Sequence, residues 1–465
     1  MAGAPSSYLC FLSLLLSLLI PSSPTTITLP LSHFKTDPSP HPYQKLTYLA
    51  SVSLARAHHI KNPKKALATA TTTTPLSSHS YGGYSVSLSF GTPPQTIPFV
   101  FDTGSGFVWF PCTHRYVCRN CTSSPTDPPV IQSFIPKLSS SAKILGCLSP
   151  KCGLIHNNPD VHSRCKDCQA AAKDCKQICP PYLILYGSGS TGGVTLVETL
   201  DLPGQKVPNF VVGCSLFSSH QPAGIAGFGR GPSSLPTQLG LKRFSYCLLS
   251  PNFDDTSTTT QLVLDTGSDS THKTPNLTYT PLIKNPLIPT KHQFSVYYYV
   301  NLKKITVGGE KIKIPSSYLS PGKDGNGGTI VDSGTTFTYM AYNVFEPLMT
   351  SFINQVKDYK RVESVESQTG LRPCFNVSGH KTVSLPEISF HFKGGAKVAL
   401  PLANYFSIVG DAEAVCLTIV TEGELGPAAL SGGPTIILGN FQLQNYFMEF
   451  DLRNERFGFR QQTCK

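Results

Sequence analysis

The chain is 465 residues long, with 39 Pro, 38 Gly, 15 Cys and only 14% charged residues against 40% apolar. That balance excludes a disordered chain and a coiled coil, and the length suits two or three domains around a large buried core. Lys and Arg number 38 against 27 Asp and Glu, but the surplus is spread along the chain, so a nucleic-acid partner is unsupported.

Residues 8–20 (YLCFLSLLLSLLI) form one apolar run followed by Pro21, Ser22 and Ser23. It is short for a membrane span and fits the core of a signal peptide over residues 1–23, so a secreted product without a membrane anchor is expected. Residues 24–80 are basic, with Ser-Leu-Ala-Arg-Ala-His-His at 53–59, then Lys61, Lys64 and Lys65, then a Thr-rich tract. They are expected to be partly helical and to end in a linker. The segment reads as a removable pro-segment, with a disordered arm as the alternative. From Tyr81 onward strand-like runs dominate, at 84–90, 96–101, 182–186, 194–200, 207–213 and 295–307. They are rich in β-branched and aromatic residues and punctuated by Gly and Pro. The clearest helix spans 341–360, where Val344, Leu348, Phe352 and Val356 recur at four-residue spacing. The chain is mainly β.

An internal repeat organises this region. An apolar strand runs into Asp102-Thr-Gly-Ser, and another, Thr329-Ile-Val, runs into Asp332-Ser-Gly-Thr. Each is followed far downstream by an apolar-apolar-Gly element, Ile225-Ala226-Gly227 and then Ile437-Leu438-Gly439. Two copies of one order point to two related lobes, at 81–250 and 251–465. With Trp109 seven positions after Asp102, Tyr186-Gly-Ser-Gly-Ser, and the closing run from Phe447 to Cys464, the sequence resembles the pepsin-like aspartic proteases. Within them it resembles the cysteine-rich, nepenthesin-like plant branch. The resemblance implies a bilobal fold, two β-barrel-like lobes with the active-site cleft between them, and a monomer acting on protein or peptide substrates without cofactor or metal.

Two carboxyls within hydrogen-bond reach do not comfortably both ionise, so one can activate water while the other polarises a carbonyl. Asp102 and Asp332 are the candidates, and Gly104 and Gly334 permit the tight turns around them. The resemblance implies that Thr103 and Ser333 brace the two loops, and that Ser105 and Thr335 hydrogen-bond the outer carboxylate oxygens. It also implies that Tyr186 and Gly187 belong to a mobile flap supported by Trp109; an aromatic packing at a hairpin base is the alternative for Tyr186, and plain core packing for Trp109. The glycines at 187, 189 and 192 match a dinucleotide fingerprint, but a strand follows where that fingerprint needs a helix. A third copy, Asp265-Thr-Gly-Ser, runs into a polar stretch and is read as a surface turn.

Nine cysteines crowd residues 112–179, and removal of Cys10 with the signal leaves an even 14 in the chain. Secretion favours disulfides over zinc, although Cys165-x2-Cys168 and Cys175-x3-Cys179 resemble ligand spacing. Nine is odd, so at least one partner lies outside this insertion; by resemblance, Cys374 pairs with Cys416. Asn120, Asn276 and Asn376 head glycosylation sequons. The expected function is acid-active endopeptidase, secreted to the cell wall or apoplast, with the vacuole as the other destination. The alternative is a catalytically silent binding or inhibitor protein on the same scaffold. No Gly-x-Ser-x-Gly or His-Glu-x-x-His motif supports another hydrolase.

Overall fold

The structure is a computed structural model that describes residues 26–33, 42–61, 83–121, 131–156, 159–166, 168, 175–186, 189–221, 223–250, 259–267, 272–288, 291–409, 413–422 and 432–464. The expected signal peptide, Lys64, Lys65 and Gly187 lie outside the described residues.

The chain is mainly β and bilobal. One continuous sheet joins the lobes. It runs from the C-terminal strands Arg456–Gln461 and Tyr446–Asp451 through Arg243–Cys247 and Thr259–Asp265 to β1 (Thr26–His33), then β2 (Tyr84–Phe90) and β3 (Gln95–Asp102). β1 is antiparallel to both neighbours, with Thr26 opposite Asp265 and Leu31 opposite Val86. Its sequence alternates, so Ile27, Leu29 and Leu31 are buried on one face. This strand adds to the reading of residues 24–80 as partly helical and ending in a linker; the linker itself lies outside the described residues. A run of eight with period two is a strand, and it takes an interior place in the sheet. The helix also expected there is present as α1 (Pro42–Lys61).

Each lobe repeats one arrangement. In the first, β3 is parallel to Gly224–Gly227, with Gly227 opposite Asp102, and β4 (Val108–Pro111) runs antiparallel to it, with Trp109 opposite Ile225. In the second, Thr329–Val331 is parallel to Ile436–Leu438, and Thr338–Met340 runs antiparallel, with Tyr339 opposite Ile437. The paired Asp-turn and apolar-apolar-Gly motifs are therefore two copies of one supersecondary unit, and each delivers its aspartate from a strand end.

Several sequence-derived elements differ in extent. The run 295–307 is broken into a 3-10 turn, His292–Val296, and the strands Tyr298–Val300 and Leu302–Val307. The apolar stretch 296–300 hides the first break, because Tyr298–Val300 is buried throughout, whereas Leu302–Val307 carries the exposed Lys303 and Lys304. The helix expected over 341–360 spans Tyr342–Gln355, since Val356 turns extended and closes the last turn on the Phe352 carbonyl. The run 182–186 is the strand Tyr182–Leu185, paired in a hairpin with Ser190–Leu202.

All fourteen cysteines after Cys10 pair: 112–214, 118–121, 147–165, 152–179, 168–175, 247–464 and 374–416. The odd cysteine of the insertion, Cys112, reaches Cys214 in the neighbouring strand. Cys165, Cys168, Cys175 and Cys179 are all consumed by disulfides, which leaves no thiolate set for zinc.

Candidate active site

Asp102 and Asp332 stand at the ends of symmetry-related strands, 1% and 0% exposed. The loops that hold them are tied reciprocally. The Thr103 amide donates to Ser333 Oγ at 3.0 Å, and the Ser333 amide donates to Thr103 Oγ1 at 2.9 Å. Each hydroxyl then donates onward to a strand carbonyl, Thr103 to Val331 and Ser333 to Phe101. Buried, mutually satisfied bonds of this kind rigidify the pair they join. Asn440 Nδ2 adds a bond to the Ser333 carbonyl.

The carboxylates are oriented locally as well. The Gly104 amide donates to Asp102 Oδ1 at 2.9 Å, and the Gly334 amide to Asp332 Oδ1 at 3.0 Å. A Cβ on Gly104 would lie 2.5 Å from Asp332 Oδ1, and one on Gly334 would strike Asp102 Oδ1. The two acids can face each other only because both positions lack side chains. Thr335 donates to Asp332 Oδ2 at 2.6 Å, as the resemblance implied. Ser105 does not make the matching bond: its hydroxyl is buried with no hydrogen-bond partner among the described residues. Both oxygens of Asp102 are instead taken by an arginine.

That arginine is Arg56 of α1. Its Nη2 lies 2.8 and 3.0 Å from the Asp102 oxygens, and its Nε lies 3.1 Å from Asp332 Oδ2. One guanidinium thus spans acids from opposite lobes, a fork geometry that a lysine could not reproduce. Sequence reasoning pointed to Lys61, Lys64 and Lys65 as the basic groups ahead of the dyad and passed over Arg56. The available signal was a stripe at 46, 49, 53, 56 and 60 in which Ser53 and Arg56 interrupt apolar residues. All five are buried. Ser53 Oγ accepts the Phe337 amide at 3.0 Å, and Leu46, Leu49 and Ile60 join a cluster with Phe294, Tyr297, Phe337, Tyr339 and Leu371 of the second lobe.

Burial and charge split the two carboxyls. Burial, the largest influence, lifts Asp102 to about 6, with help from neighbouring Asp332 and against the pull of Arg56. Burial is also the largest influence on Asp332, but Arg56 and the Thr335 hydroxyl outweigh it and hold that carboxyl below its ordinary value. Arg56 itself stays charged, since the two acids overcome its desolvation.

Across the cleft, Tyr182–Leu185 and Ser190–Leu202 form the hairpin whose end carries Tyr186. Trp109 Nε1 donates to Tyr186 Oη at 2.8 Å, so the only Trp does support this tyrosine. The His59 ring of α1 lies 6.2 Å from the Tyr186 ring. Asp265 takes no part: it pairs with Arg243 at 3.2 Å and caps its own turn through the Gly267 amide. Asn120, Asn276 and Asn376 are exposed.

With this geometry in place, comparison with known proteins is decisive. Residues 84–260 match the family described as xylanase inhibitor N-terminal, and residues 297–461 match xylanase inhibitor C-terminal. The chain is 35% identical to aspartic proteinase nepenthesin-2 of Nepenthes gracilis, over 82% of this chain and 78% of that protein. The chain belongs to the pepsin-like aspartic protease family. It is also 32% identical to a probable aspartyl protease of Arabidopsis thaliana, over 84% and 83% of the two chains. Among solved structures, edgp superposes with a TM-score of 0.63 at 20% identity, covering 95% of both chains. Basic 7S globulin from soybean gives 0.60 at 17%, covering 94% of this chain and 97% of that one. These two likenesses concern the fold alone. Among the described residues, no helix is long and apolar enough to cross a membrane.

Proposed function

We propose that this chain is a secreted aspartic endopeptidase, folded as an inactive precursor whose α1 occupies the substrate cleft. The reading is carried by the convergence of Asp102 and Asp332, from opposite lobes, on one guanidinium. With α1 withdrawn, the same oxygens would hold a water between them. The ionised carboxylate accepts a proton from that water as its oxygen bonds to the peptide carbonyl carbon, and the protonated carboxyl donates to the carbonyl oxygen. Collapse of the tetrahedral species breaks the C–N bond, and the nitrogen leaves with a proton returned by the dyad. Tyr186, held by Trp109, closes over the peptide and excludes solvent.

Acidification opens the cleft by a definite sign. Arg56 and the Thr335 hydroxyl hold Asp332 below its ordinary value in the closed state, so withdrawal of α1 raises that carboxyl and Asp332 takes up a proton. Asp102, lifted to about 6 by burial, is protonated at higher pH while the cleft is still closed, so opening belongs to the range below the ordinary carboxylate value of about 3.9. Protons therefore favour the open state, and the closed state is lost as pH falls. Full-length protein held at pH 7 and then acidified should yield a shorter form that cleaves denatured globin and is blocked by pepstatin. Globin cleavage by the unshortened chain would remove the precursor assignment.

A second reading is a catalytically silent binding protein, favoured by the xylanase-inhibitor description of both matching regions. It predicts no globin cleavage at any pH after removal of residues 1–82. Against it stand the retained pair of acids, the reciprocal loop braces and Tyr186, none of which a binding scaffold requires.

A further inference from the structure

The position seven residues after the second aspartate is Tyr339. In the first lobe the same position is Trp109, committed to Tyr186. Tyr339 has a different set of partners. Its hydroxyl donates to Glu422, whose other oxygen accepts the Tyr342 amide at 3.1 Å. It accepts from Lys61 Nζ at 3.1 Å, and that ammonium also lies 5.0 Å from the centre of the Tyr339 ring.

Lys61 is only 3% exposed at the end of α1. The fold makes room for it. A Cβ on Gly433 would sit 3.0 Å from the Lys61 Cα, so the chain passes flush against that glycine. Burial draws the ammonium down to about 8, with Glu422 acting in the opposite direction, so it is charged at every acidic pH. A buried lysine needs a compensating partner, and this one is compensated by a tyrosine hydroxyl, an aromatic face and a carboxylate placed in series.

We propose that Glu422 and Tyr339 form a substrate subsite for a basic side chain, which Lys61 occupies as a surrogate while α1 fills the cleft. The proposal rests on the endopeptidase reading and names the substrate class of that cleft. Five helical residues separate Arg56 from Lys61, a rise of about 7.5 Å. An extended peptide covers that span in about two residues. The pocket therefore takes the side chain about two positions from the bond that is cut. Glu422 supplies the charge, Tyr339 supplies the ring face and relays the hydrogen bond, and a lysine or arginine satisfies both.

The test uses matched peptides carrying Lys or norleucine at the second position on either side of the cut, given to acid-treated full-length protein and to its Glu422→Gln variant. Rates are compared as a ratio within each protein, so differences in maturation yield cancel. The wild type is expected to prefer Lys at one of these positions about tenfold. Glu422→Gln should erase that preference, bringing the ratio of Lys to norleucine rates to about one. Equal rates for the two peptides in the wild type, or a preference that survives Glu422→Gln, overturns the subsite.

If the wild type cuts neither peptide, the endopeptidase reading fails, and hydrogen exchange of α1 in the full-length chain at pH 7 decides the pocket separately. Lys61→Met and Glu422→Gln should each reduce protection of α1, and the double variant should lose little more than either. Additive losses would show that Lys61 and Glu422 are not coupled and would remove the pocket.

Discussion

The two lobes share a backbone plan and use it differently. In both, an aspartate ends one strand, a strand carrying the apolar-apolar-Gly motif lies parallel to it, and an aromatic residue seven positions on faces the first apolar residue of that motif. In the first lobe the aromatic is Trp109, and its N–H is spent on the hairpin tyrosine Tyr186. In the second it is Tyr339, and its hydroxyl links a lysine of α1 to Glu422. The helix follows the same asymmetry. Its apolar stripe, Ser53 and Lys61 all contact the second lobe, whereas the first offers it Asp102 and the Tyr186 ring. The lobes match in their acids and differ in what each sets against the helix.

The most severe way to break this comparison is to remove one acid at a time. If the dyad acts as a unit, Asp102→Asn and Asp332→Asn should each reduce globin cleavage at acidic pH by at least about 10²-fold, and by similar amounts. Asp265→Asn should leave cleavage unchanged, since that residue serves a turn. Retained activity in either dyad variant would show that one lobe suffices and would end the shared-proton account.

Arg56→Gln comes next. Deleting one partner of a buried ionic cluster costs about 3–5 kcal/mol, because the remaining charges stay buried and uncompensated. Here the remaining charges are two facing carboxyls. The variant should lose exchange protection in α1 at pH 7 while the joining sheet stays protected, and it should shorten without acidification. An α1 protected as in the wild type would mean that its apolar contacts with the second lobe hold it without the clamp.

The braces test whether the symmetry is energetic as well as geometric. Thr103→Ala and Ser333→Ala each leave a buried amide without its acceptor, a loss of about 1–3 kcal/mol. Both should lower the melting temperature by similar amounts. A marked inequality would show that one lobe carries the other's loop.

Much of this was legible in the sequence because the chemistry of the turns is strict. Gly104 and Gly334 cannot carry a side chain when each faces the opposite aspartate, and that requirement makes the two tetrapeptides recognisable. The strands 84–90 and 96–101 were legible from alternation and β-branching. What was hidden is tertiary. Arg56 lies in a stripe that resembles any amphipathic helix, and only the docked fold shows which residue of the stripe meets the acids. Glu422 carries no local motif; its role arises because a distant strand brings Tyr339 beside it. The strand Thr26–His33 was overlooked because the basic, low-complexity character of its neighbours set the reading of the whole segment.

The smallest expected effect concerns His59, between the two lobes. Among the described residues its ring faces Tyr186, its Nδ1 is buried without a hydrogen-bond partner, and its charged neighbours are Arg56 and Asp332. Burial, aided by Arg56, holds the imidazole well below its ordinary value, against a weaker opposite pull from Asp332. The histidine is therefore neutral in the closed state and regains a value near about 6.5 once α1 leaves. The open state binds the extra proton, so His59 disfavours closure as pH falls below about 6.5, the same direction as Asp332. His59→Gln removes this contribution and leaves the dyad's intact. The acid midpoint for loss of α1 protection should move down by a fraction of a pH unit, with a shallower transition. An unchanged or higher midpoint would leave the carboxyls as the sole proton sensors of the cleft.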